Sequence, residues 1–239
     1  MQRFLRASLA VMALLVIANL PAQAATSQVF SAGSLGPNDF FDWGQIRVVD
    51  GGGNAVAQTS PQNVTSNLGR TGNVSNGGNF TGLIEGTDWF GNFTVGNNVL
   101  FSGDTNNPFA ASSSFTMNFN TAVYGLGLQM TSNFYGAFTA SLEVFSGATS
   151  LGVFNVAGVM DGLEDGTAPF LGAKGDTTID KAVFTLTSNT GAGLGVNRLL
   201  TTDTADTPSR VPEPASLGLL GIGLGFVSFV ARRRQGSEK

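Results

Sequence analysis

The sequence predicts an all-β fold: an antiparallel, jelly-roll-like β-sandwich, with an N-terminal signal peptide before it and one C-terminal transmembrane helix after it. Three observations lead there. Apolar residues recur at period two in short runs through the middle of the chain, the spacing of half-buried strands. Between those runs lie Gly/Asn/Asp clusters that accept positive φ and close turns. Both ends carry apolar runs beside arginines.

Residues 1–24 come first. Arg3 and Arg6 precede an apolar run from Ala7 to Leu20, and Pro21 breaks it. Ala22-Gln23-Ala24 then supplies a small-x-small pattern before a cleavage point at Ala25. A basic start, an apolar stretch and a small-residue site are the pattern of a secretory leader that signal peptidase removes. The expectation is export.

Residues 25–200 are expected to form the β-sandwich ectodomain. Phe115, Met117 and Phe119 alternate with polar neighbours, as do Leu126, Leu128 and Met130 after Tyr124. Phe138, Ala140, Leu142 and Val144 repeat the pattern, and so do Phe184 and Leu186. Gln45 to Asp50, Trp89 to Val95 and Leu151 to Val156 are further candidate strands. Turns are expected at Gly51 to Asn54, Asn76 to Gly78, Gly103 to Pro108 and Gly172 to Asp176. No stretch has the 3.6-residue periodicity of a three-turn helix. Many strands with short polar turns argue for a sandwich or barrel.

Residues 201–210 are polar and aperiodic and read as a linker. Residues 215–231 carry no charge and precede Arg232-Arg233-Arg234. Helical, they would reach roughly 25 Å, the short limit for a bilayer core. The arginines of the 232–239 tail should stay cytoplasmic, leaving the domain outside.

Composition narrows the chemistry. Residues 25–210 hold six basic against fourteen acidic residues, a net charge of −8. That balance repels phosphate backbones and argues against a nucleic-acid partner. The chain has no Cys and no His. It therefore has no disulfide, thiolate nucleophile, Ser-His-Asp triad or imidazole metal ligand. The expectation is a protein that is not an enzyme and has no catalytic residues.

Val211-Pro212-Glu213-Pro214, the Gly-rich apolar segment and the arginine cluster together resemble the PEP-CTERM sorting signal, over residues 211–239. The resemblance implies recognition by exosortase, an integral-membrane, transpeptidase-like enzyme of Gram-negative bacteria that also make exopolysaccharide. It implies cleavage near Pro212-Glu213-Pro214. The helix would then anchor the protein in the inner membrane only until processing, after which the domain goes to the cell surface or extracellular matrix. The two prolines fix φ and hold an extended segment that an active-site cleft can grip. Residues 123–186 also resemble β-sandwich ectodomains that accompany this signal, which implies a fold and no activity.

Candidate sites in the domain are carboxylates and aromatics. Asp161, Glu164 and Asp165 crowd one loop, where three like charges would favour a calcium ion. Asp39 and Asp42 flank Phe40-Phe41. Trp43, Trp89, Tyr124 and Tyr135 could stack on sugars, though an isolated Trp in a sandwich is more often core. The leading expectation is a non-enzymatic surface or matrix protein associated with exopolysaccharide. The alternatives are a calcium-assisted carbohydrate-binding module and, behind it, a carboxylate-dependent glycan hydrolase.

Overall fold

The structure, a computed structural model, describes residues 26–107, 111–189 and 193–206. The chain divides into two compact units, Met1–Asp206 and Thr207–Lys239, and every described residue belongs to the first. The expected leader with its site at Ala22, Ala24 and Ala25 lies outside the described residues. So do Val211 to Pro214, the apolar segment and Arg232 to Arg234. Among the described residues no helix is long and apolar enough to cross a membrane.

Short elements fill the first half. They are β1 (Thr26–Val29), α1 (Ala32–Leu35), β2 (Asp39–Phe41), a 3-10 turn (Trp43–Gln45), β3 (Val48–Val49), β4 (Ala55–Val56), β5 (Gln58–Thr59), β6 (Gln62–Thr65), β7 (Thr71–Ser75), β8 (Asn79–Ile84) and β9 (Asn98–Phe101). Long strands dominate the second half: β10 (Ser114–Ser132), β11 (Gly136–Ser146), β12 (Thr149–Met160) and β13 (Phe170–Leu186), then β14 (Leu194–Val196) and β15 (Leu199–Thr202). The ladders between named strands are antiparallel. They join into one 13-stranded sheet, with β3 and β4 as a separate hairpin.

The sheet becomes sandwich-like because β10 and β13 each serve two ladders. The first half of β10 and the second half of β13 pair with each other, β13 also with β11, and β10 with β7. The other two halves pair with each other, β13 also with β1, and β10 with β14 and β15. One core fills the space between these regions. Phe115, Phe138 and Phe184 from the first share it with Leu126, Leu171 and Leu199 from the second. Phe115 and Phe184 stack with centroids 5.0 Å apart.

The register shows how the strands change partners. From Asn118 to Val123, five steps along β10 face two along β13; from Val123 to Gly125, two steps face five. The two irregularities offset each other. Each also reverses which parity faces inward. Phe115, Met117 and Phe119 are buried before the bulge, and Leu126, Leu128 and Met130 after it. This explains one difference from expectation: Gly172 to Asp176 is strand rather than turn. Residues 120–122 carry β10 through without a break. Gly127 and Gly172 sit opposite each other. A Cβ on Gly127 would stand 2.5 Å from the Phe170 ring, and one on Gly172 would stand 2.8 Å from the Leu126 carbonyl. These glycines serve close approach, not a reversal.

Arg70 pins the bulge. Its Nη1 donates to the carbonyls of Thr121 (2.9 Å) and Ala122 (3.2 Å), and its Nη2 donates to Asp203. Its Nε lies 3.9 Å from Asp39. The expected linker therefore begins too early. Thr201 and Thr202 are buried strand residues, and Asp203 and Asp206 are fastened to the domain by Arg70 and by Lys174 (3.3 Å). Two further expectations shift. Trp89 to Val95 is a loop, and only Val48–Val49 of the 45–50 segment is strand. The turns at Gly51 to Asn54 and Asn76 to Gly78 stand as expected.

Arg70→Met keeps the packing volume but removes these bonds and strands the buried Asp39 carboxylate. It is expected to lower unfolding free energy by about 3–5 kcal/mol, read by urea denaturation; a loss within error would show that the bulge holds itself.

Candidate functional site

Among the described residues lies an open cleft of about 530 Å³. Phe30, just past β1, and Ser31, the N-cap of α1, form one wall. Gln129 of β10, Asn97 of the loop before β9, and Asn197 of the β14–β15 turn contribute amides. Phe170, Leu200 and Arg198 complete the lining described here.

The amides form a fixed floor. Asn197 donates from Nδ2 to Gln129 Oε1 (2.6 Å) and accepts from the Gln129 amide (3.1 Å). Gln129 Nε2 donates to the carbonyls of Gly166 and Ala168, both at 2.9 Å. Beneath, the Trp43 indole N–H donates to the Asn197 carbonyl. Above this floor stand Phe30 and Arg198. Phe30 is 67% exposed. Arg198 lies over the Phe40 ring (4.6 Å) with its Nε 3.7 Å from Asp42. Its terminal nitrogens point to no protein acceptor among the described residues. The arrangement offers an apolar ring face, amide groups and a guanidinium in one opening, the mixture expected of a small-molecule or sugar site.

The loop expected to hold calcium is built differently. Asp161 accepts from the Asn92 side chain and from the Leu163 amide (3.3 Å). Asp165 accepts from the Thr167 hydroxyl (2.6 Å) and amide (3.0 Å), and these bonds hold its carboxyl below the ordinary range. Glu164, at φ 55, turns toward Gly86, where a Cβ would meet its Oε2 at 3.1 Å. Asp161, Glu164 and Asp165 are thus not gathered around one point. Among the described residues no group of three or more such side chains is placed to hold a metal ion. The near-neighbour spacing brought them into one loop, but each carboxylate found its own local donors or direction. Asp39 and Asp42 are likewise taken up, by Ser66 and Leu68 in one case and by Gly44 and Asn98 in the other.

Trp43 and Trp89 are both buried, so neither is a display platform. Tyr124 is half-buried and Tyr135 is exposed, away from the cleft lining. The cleft residues Phe30, Asn97, Gln129, Asn197 and Arg198 drew no attention in the sequence. Nothing in their spacing joins them, because four different segments deliver them.

Glu85 was also missed. It follows the apolar β8 run and is fully buried. Its Oε1 accepts from the Gly91 amide (2.6 Å), and its Oε2 has no partner. Burial pushes its carboxyl up to about 7 from an ordinary 4.5, and the charge of Glu164 adds to the rise; the amides of Gly91 and Phe93 act the other way. A carboxylate directly after an inward-facing strand was the available signal.

Among known proteins, the PEP-CTERM protein-sorting motif matches residues 210–234. The chain carries a PEP-CTERM sorting motif. That motif implies an exported protein, anchored transiently in a membrane and processed by exosortase. No curated protein matches the chain. CsCBM6-3 from Clostridium stercorarium, solved in complex with cellobiose, is a structural neighbour at 10% identity and a TM-score of 0.25. The alignment covers 46% of this chain and 76% of that one. A likeness this slight carries no functional weight.

A carboxyl raised on folding keeps its proton between the unfolded and folded values. Its stabilisation is present below about pH 4.5 and is lost as pH rises through about 7. In a buffer free of divalent cations, unfolding free energy is expected to fall over that window by at most about 3 kcal/mol. Glu85→Gln should flatten that limb; equal slopes in both proteins would refute the assignment.

Proposed function

We propose that the exported, exosortase-processed β domain is a non-enzymatic cell-surface or extracellular-matrix protein of a Gram-negative bacterium that holds exopolysaccharide in the Phe30–Arg198 cleft. The cleft's make-up carries this reading. An exposed phenyl face suits the apolar face of a sugar ring, and rigid amides with a guanidinium suit its hydroxyls. The floor amides are already bonded to one another, so they need little ordering when a ligand arrives. Among the described residues no carboxylate lines the cleft, which favours binding over hydrolysis, since glycosidases work through paired acids. The sorting motif supports the delivery: the domain reaches the compartment where such polymers lie.

Two measurements test this. In affinity electrophoresis against exopolysaccharide from the producing cells, Phe30→Ala and Arg198→Ala should each weaken retention by about tenfold. Their melting temperatures should stay unchanged, because both side chains are exposed. Equal retention of both variants and the parent would sink the cleft, and new reducing ends in the polymer would sink the non-enzymatic reading.

Processing is tested separately by intact mass. Cells lacking exosortase, or carrying Pro212→Ala with Glu213→Ala, should keep a larger, membrane-bound form. Identical mass and location in all strains would refute sorting at this motif.

A further inference from the structure

Two loops meet on one side of the sandwich: residues 85–97, before β9, and residues 161–168, before β13. Backbone bonds join them. Glu164 N donates to Gly91 O (2.9 Å), Ala168 N donates to Asn92 O (3.0 Å), and Thr94 bridges to Asp165. At this seam Glu85, Asp161, Glu164 and Asp165 have no cationic partner; Asp161 and Asp165 have local neutral donors, whereas the other two are left short. Glu85 is fully buried with one oxygen unpartnered, and Glu164, half-buried, has no hydrogen bond or ion pair to its side chain.

Basic groups are engaged elsewhere. The described residues include five, and each has its own partner: Arg47 with Asp88, Arg70 with Asp39 and Asp203, Lys174 with Asp206, Arg198 with Asp42, and Lys181 over the Phe145 ring. The orphaned indole N–H of Trp89 does not satisfy Glu85 either, since both atoms remain without a partner. A buried, acceptor-only oxygen beside a second carboxylate is costly unless a positive charge or a proton stands between them.

We infer that Glu85 and Glu164 together bind one hard divalent cation across the seam between the two loops. Glu85 supplies the buried oxygen and Glu164 the solvent-side carboxylate, with water completing the shell, as oxygen-ligated cations of this kind accept. Gly86, lacking a Cβ, leaves the space into which Glu164 Oε2 points. This ligand pair shares Glu164 with the Asp161, Glu164, Asp165 loop but takes neither aspartate, and it does not depend on the sugar cleft. It does bear on it. Glu85 exchanges backbone bonds with Gly96 and Asn97, while the other loop presents the Gly166 and Ala168 carbonyls to Gln129. A cation at the seam would therefore brace both loops that hold the amide floor.

Calcium is the probe. Calorimetry and thermal melting on the full chain in detergent, at about pH 8, should show one bound calcium and a raised melting temperature. Bound protons should be released near neutral pH, seen as heats that depend on buffer. Glu85→Gln and Glu164→Gln should each weaken binding by about tenfold or more, and Asp161→Asn with Asp165→Asn should not. Glu164 is half-buried, so its variant remains informative if Glu85→Gln folds poorly. Three results would each overturn the inference: no calcium heat and no shift in melting; loss of binding only in the Asp variants; or melting that follows pH alone, the mark of a pair sharing a proton.

Discussion

The pairing of β10 with β13 is the constraint from which the rest of the sandwich follows. Both strands are long enough to belong to two ladder regions, and each must bend between them. Their irregularities compensate, so the ladder resumes in register after Val123 faces Ile179. Had only one strand bulged, every inward side chain beyond it would have turned outward. The parity reversal in both strands keeps Leu126, Leu171 and Ala173 in the same core as Phe115 and Phe184. Arg70 holds the extra residues of β10 by their carbonyls. A long cationic side chain here does the work that backbone pairing cannot, because bulged residues lack a ladder partner.

The strands were legible where alternation is uninterrupted. Phe138 to Val144 reads correctly because one face of β11 packs on the core throughout. The continuity of β10 was not legible, since Asn120-Thr121-Ala122 has the composition of a turn and the alternation changes phase across it. Gly172 to Asp176 misled for the converse reason. Glycine there answers a tertiary demand, the passage of the Phe170 ring over a facing glycine, and local composition cannot distinguish that from a reversal. The end of the domain was misplaced because Thr201 and Thr202 are polar yet buried, with β10 and β2 on either side to satisfy their backbone groups.

Sites followed a harsher rule. Acidic residues adjacent in sequence were easy to notice, but Asp161 and Asp165 are occupied by Asn92 and Thr167. The groups with capacity to spare are scattered: Phe30, the terminal nitrogens of Arg198 and one oxygen of Glu85 lie in separate segments that only the folded sheet assembles. The sorting motif is the opposite case, a contiguous word that an enzyme reads in extended form, so it was visible from the start. Address and activity are thus written in different ways along the same chain, one as local sequence and the other as tertiary coincidence.

The clamp at the domain's last described residues has a mechanical meaning. Arg198 lines the cleft just before β15 and Leu200 lines it from within that strand, and Asp203 and Asp206 are fastened within four residues of its end. Suppose a polymer gripped in the cleft pulls against a chain held from residue 207 onward. The tension then passes along β15 and its two flanking ladders, a path eight residues long from Arg198. Most of the sandwich lies off that path. Drag on the polymer would be resisted by a short, doubly laced strand, and the Lys174–Asp206 contact, half-exposed and weakened by salt, would be the first tie to slip.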